Sequence, residues 1–95
     1  MAHLEVEVVA ADRRVWRGDA QMVSAPAADG DIGILPGHTP LLAILREGDV
    51  RITSTDGAAR TVRVDEGFLS VDDDKVTVVV RSATEVSEAE RGRGH

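Results

Sequence analysis

The side chains able to do chemistry are few and scattered. Three histidines, His3, His38 and His95, are spread over 95 residues, and there is no cysteine. A zinc site needs several imidazole, thiolate or carboxylate ligands at close quarters, and these histidines lack ligand spacing. Without cysteine there is no thiolate nucleophile and no disulfide. Asp72-Asp73-Asp74 puts three carboxylates in a row. A calcium loop instead alternates its oxygen ligands and ends on a distal glutamate. The triplet therefore reads as a solvated hairpin turn, and Asp29-Gly30-Asp31 as only a fragment of such a loop. Neither glycine cluster ends in Gly-Lys-Ser/Thr, so no phosphate loop is encoded. No Ser–His–acid grouping is visible. The residues predict no catalytic group, no metal and no cofactor.

Binding chemistry is narrowed by composition. Trp16 and Phe68 are the only large rings, too few for the stacking platforms of single-stranded nucleic-acid binders. A formal net charge of −6 opposes contact with phosphate backbones, which calls for a basic face. No apolar run nears the roughly 20 residues that span a bilayer. Met1-Ala2-His3-Leu4-Glu5 lacks the charged and apolar regions of a signal peptide. The expectation is a soluble, cytoplasmic protein that meets a membrane only through another protein.

The elements that position these residues announce themselves by alternation. Leu4, Val6 and Val8 alternate with Glu5 and Glu7; Val50 and Ile52 alternate with Arg51 and Thr53. Val62 and Val64 follow the same rule, as do Val76, Val78 and Val80. A period of two is the mark of half-buried strands. Shorter apolar stretches lie at 21–25, 32–35, 41–45 and 68–71. Between the runs stand Asp12-Arg13-Arg14, Arg17-Gly18-Asp19, Asp29-Gly30, Glu47-Gly48-Asp49, Asp56-Gly57 and the Asp72–Asp74 triplet. Asp-Gly is a strong hairpin signal, because glycine takes the positive φ of a tight turn. Such spacing predicts one all-β domain, an antiparallel sandwich or barrel, and no parallel sheet. Ser82…Glu85 and Ser87…Glu90 match capping boxes, so a frayed helical turn or two is expected at the C-terminal end.

One segment fits no ordinary loop. Asp29-Gly30-Asp31-Ile32-Gly33-Ile34-Leu35-Pro36-Gly37-His38-Thr39-Pro40-Leu41-Leu42-Ala43 holds three glycines and two prolines among large aliphatics. The backbone is stiff and the side chains are oily. Two readings stay open from the residues alone: a corner turned into the core, or a surface that meets a partner.

This segment closely resembles the Gly-x-x-Gly-Ile-(Leu)-Pro-Gly-His-x-Pro-Leu-Leu stretch of the epsilon subunit of bacterial and chloroplast ATP synthases. Leu45-Arg46-Glu47-Gly48-Asp49-Val50-Arg51-Ile52 and Glu66-Gly67-Phe68-Leu69-Ser70-Val71, followed by Val76-Thr77-Val78, resemble later strands of that family in order and spacing. The opening Leu4–Val9 and Val15-Trp16-Arg17-Gly18 are similar to its first hairpin. The resemblance implies a flattened antiparallel β-sandwich of about ten short strands over residues 1–83, with residues 84–95 a remnant of a C-terminal helical region. It further implies a non-catalytic rotor subunit on the cytoplasmic face of a bacterial membrane. Such a subunit binds gamma and the c-ring and couples proton flow to ATP synthesis. Carried over by position, Asp31, Ile32 and Gly33 lie near the c-ring loops. Ile34 belongs to the same contact segment. Pro36, Gly37, His38, Leu41 and Leu42 lie at or beside the gamma contact.

The chain departs from the family at its end. Members usually continue into two helices that can restrain ATP hydrolysis and, in some, bind ATP through an Ile/Leu-Asp-x-x-Arg-Ala motif. Val86-Ser87-Glu88-Ala89-Glu90-Arg91 lacks the Asp and Arg in place. Neither helix-mediated inhibition nor ATP binding is therefore expected. A naturally short subunit and a piece cut after the sandwich both stay open, with the first favoured. The competing function is a stand-alone β-sandwich adaptor or ligand-binding module, which would usually expose aromatic rings for stacking. Trp16 reads as a core plug or an interface anchor.

Overall fold

The computed structural model describes residues 2–86. It is all-β, with nine strands among the described residues: β1 (Leu4–Ala10), β2 (Arg13–Ala27), β3 (Gly30–Ile34), β4 (Leu41–Leu45), β5 (Gly48–Ser54), β6 (Ala59–Val64), β7 (Gly67–Asp72), β8 (Lys75–Val80) and β9 (Ala83–Val86). They form one continuous sheet folded on itself into two layers, in the order β1-β8-β7-β4-β2-β5-β6-β9. β3 pairs with β2, and β1 also pairs with β2. The first layer holds β4, β7, β8, β1 and the start of β2; the second holds the end of β2 with β3, β5, β6 and β9.

Alternation does what its period demands. Leu4, Val6, Val8, Val50, Ile52, Val62, Leu69, Val76 and Val78 turn inward and lie at most 1 % exposed. The core is built of Val, Leu, Ile and Ala, whose branched members suit a pleated surface. Asp73 and Asp74 both take positive φ, 53° and 63°, in the two-residue turn that joins Asp72 to Lys75. That is the geometry of a type I′ hairpin, so the acidic triplet is the expected turn.

Three features differ from the sequence reading. Arg17-Gly18-Asp19, read as a turn, lies inside the 15-residue strand β2. A Cβ on Gly18 would come within 2.8 Å of the Trp16 ring, so this glycine makes room for an indole instead of turning the chain. Trp16 itself is half-buried against the core, with the Arg60 guanidinium 5.7 Å from its ring centroid. That arrangement favours the plug over the anchor.

Secondly, β1 pairs with β8 in parallel, Val6 beside Val76 and Val8 beside Val78, although every other pairing is antiparallel. Parallel neighbours need a long connection, and the intervening strands supply it. Thirdly, residues 84–86, assigned above to a helical remnant, belong to β9, which pairs with β6 from Thr61 to Val64. β6 would otherwise present an unpaired edge, and that tertiary demand overrides the local capping signal. The rest of the expected helical turn, and the ATP-motif region beyond Val86, lie outside the described residues.

Candidate partner-binding surface

The segment from Asp29 to Ala43 is a hairpin tip, a strand, a corner and a second strand. Ala28 N–H donates to the Ile44 carbonyl at 2.9 Å, which ties the tip beside the far end of β4. Asp31 is exposed there, opposite Pro26 on β2. Gly33 is exposed, and Ile32 is half-buried against the core. Ile34 is 0 % exposed. It therefore stands in the core and drops out of the contact surface proposed for it.

The corner is a reverse turn with the residues its geometry requires. His38 N–H donates to the Leu35 carbonyl at 3.1 Å, Pro36 and Gly37 are the central pair, and Gly37 has φ of 86°. This is a type II turn, with proline supplying φ near −65° and glycine the positive φ. The Nδ1 of His38 lies 2.7 Å from the Thr39 carbonyl. Since a carbonyl only accepts, Nδ1 carries the proton in this contact. Leu35 is 57 % exposed at the same corner. Corner and tip stand at opposite ends of β3, a strand of five residues, or roughly 17 Å apart at about 3.3 Å per residue.

β4 carries the largest surprise. Its outward residues, Leu42 and Ile44, are 69 % and 62 % exposed, while Leu41 packs against the core. Ile44 sits across from Phe68 on β7, itself 42 % exposed. Phe68 sits across from Val79 on β8, and Val79 beside Val9 on β1. Ile44, Phe68, Val79 and Val9 thus form one apolar row across four strands, with Leu42 beside it. An ion pair between Arg14 and Glu7, 2.7 Å apart, borders its β1 end. The sequence reading caught Leu42 and missed Ile44, Phe68, Val79 and Val9. The available signal was Leu41-Leu42-Ala43-Ile44-Leu45, apolar at every position where a one-sided strand would alternate.

Of the nine site residues expected from sequence, the structure leaves Asp31, Gly33, Gly37 and Leu42 openly exposed. Ile32, Pro36, His38 and Leu41 are partly covered. No three His, Asp or Glu side chains gather into a metal-holding group among the described residues.

Residues 3–86 match the family model described as ATP synthase, Delta/Epsilon chain, beta-sandwich domain. The chain belongs to this family. The ATP synthase epsilon chain of Micrococcus luteus is 49 % identical over 83 residues, 87 % of this chain and 91 % of that protein. That of Streptomyces avermitilis is 44 % identical over 92 residues, 97 % of this chain and 74 % of the relative. The same fold recurs in a chain of the Euglena gracilis mitochondrial ATP synthase OSCP/F1/c-ring structure, at a TM-score of 0.84 and 16 % identity. There it covers 99 % of this chain and 62 % of the other. A chain of the Tetrahymena thermophila central stalk/c-ring structure gives a TM-score of 0.71 at 15 % identity, covering 85 % of this chain and 65 % of its own length. The two-layer sandwich is thus the fold that this chain shares with both.

Proposed function

We propose that this chain is a non-catalytic rotor subunit of an ATP synthase, sitting peripherally on the cytoplasmic side of a bacterial membrane. It grips the gamma subunit and the c-ring so that ion-driven rotation reaches ATP synthesis. One observation carries this reading: a family sandwich whose first layer presents Ile44, Phe68, Val79 and Val9 as a continuous apolar row on its outer face. An apolar face flanked by ions is the makeup of a protein contact. A few well-packed, desolvated residues near the centre of such a patch carry most of the binding energy.

The ends of β3 divide the work. Leu42 and the His38 corner take gamma together with the apolar row. The Asp29–Gly33 tip reaches the polar loops of the ring, where Asp31 meets a basic side chain. An exposed pair of that kind contributes about 0–1 kcal/mol and mainly fixes register.

Titration of the chain with purified gamma tests the reading. The parent should form a stable complex, and Leu42→Asp and His38→Glu should each weaken it while melting stays close to the parent. A chain that ignores gamma while binding small molecules would belong to the competing class of ligand modules.

A further inference from the structure

The turn between β7 and β8 reaches further than a hairpin needs to. The Asp74 carboxylate Oδ1 accepts a hydrogen bond from Gly37 N–H at 2.7 Å. The carbonyl of the same residue accepts from Glu5 N–H at 2.8 Å. One residue thus joins the start of β1, the tip of the β7–β8 hairpin and the Pro36-Gly37-His38 corner. Its φ of 63° is one that glycine adopts most easily and asparagine or aspartate tolerate. Hairpin geometry alone would be served better by glycine. The side chain at this position is accounted for by its long-range partner.

We infer that Asp74 is a positioning residue for partner binding: its carboxylate latches the Gly37 amide and presets the corner in the shape that gamma meets. The inference rests on the rotor reading above for what the corner contacts. The type II turn already holds His38 to Leu35 from within. What the turn lacks is an anchor to the rest of the sandwich, and Gly37, at its apex, donates to Asp74. A corner held in its bound shape spares the ordering cost of association, so the latch acts on affinity without touching the partner.

The test uses the full chain and two variants that both keep the left-handed backbone. Asp74→Gly removes the acceptor and relaxes the turn; Asp74→Asn retains an amide oxygen at the same place. Gly37 amide exchange, followed by NMR, and gamma affinity, followed by titration, are the two readouts. In Asp74→Gly, Gly37 exchange should rise and gamma affinity should fall, each by about three- to tenfold, as expected for one hydrogen bond. In Asp74→Asn both should stay within about twofold of the parent, since the acceptor is preserved. Unchanged Gly37 exchange in Asp74→Gly overturns the latch. Faster exchange with unchanged gamma affinity leaves the latch standing, and removes the corner from the gamma contact and Asp74 from the role of positioning it.

Discussion

The two outer faces of this sandwich are built by the same alternation and differ in how much large apolar surface they carry. On the second layer, the residues that point away from the core include Ser24, Asp49, Arg51, Thr53 and Arg63, and Arg63 pairs with Asp49 at 3.3 Å. On the first layer, the equivalent positions hold Leu42, Ile44, Phe68, Val79 and Val9 at one end and Glu5, Glu7, Ser70, Lys75 and Thr77 towards the other. Folding requires only that the inner face be apolar, and the second layer stays near that minimum, with Met22, 42 % exposed, as an exception. The surplus on the first layer is what the fold needs for something else.

The contrast is open to attack at several strengths. Ile44→Asp with Phe68→Asp should lower gamma affinity more than about 30-fold, the loss expected when central apolar anchors are removed. Isothermal titration reads this, and an unchanged affinity would erase the distinction between the faces. Beneath both faces, Val78→Ala should cost about 1–3 kcal/mol of stability through lost buried volume. That loss corresponds to a melting temperature lower by several degrees in a domain of this size. Gly18→Ala sets a methyl against the Trp16 ring and should cost about 1 kcal/mol, with a shift in indole fluorescence as the ring moves. Arg63→Ala on the second layer should change stability by less than about 0.5 kcal/mol and leave gamma affinity as it was. A large loss of gamma binding there would show that the arginine-bearing face is also in use.

Much of this architecture was legible in the residues, for reasons that also mark where legibility stops. Half-buried strands write their period into the chain, so β1, β5, β6 and β8 could be read directly. Turns with demanding backbones, such as Asp56-Gly57, with Gly57 at φ of 91°, name themselves too. Gly18 did not, because a glycine that yields space to a neighbouring ring looks in sequence like one that turns. β4 hid its exposed face because both of its faces are apolar, and alternation is the only local clue to direction. The capping boxes near Ser82 spoke for a helix, but the free edge of β6 lies some twenty residues back and takes Ala83–Val86 as a strand. The corner was legible as a stiff, oily segment. Its tether to Asp74, 37 residues away, was not, since nothing local marks a contact between two separate hairpins.

The parallel seam between β1 and β8 sets a schedule for the whole molecule. The mates Glu5–Ala10 and Lys75–Val80 stand far apart in the chain, so the barrel-like closure waits until both strands have been made. Chains governed by such distant pairings fold in about milliseconds to seconds, slower than helical bundles of similar stability. Until then Leu42 and Ile44 of β4 stand without the β7 and β8 neighbours of their row. Cells that make this subunit faster than its rotor shaft therefore face a risk of clumping among unfinished copies.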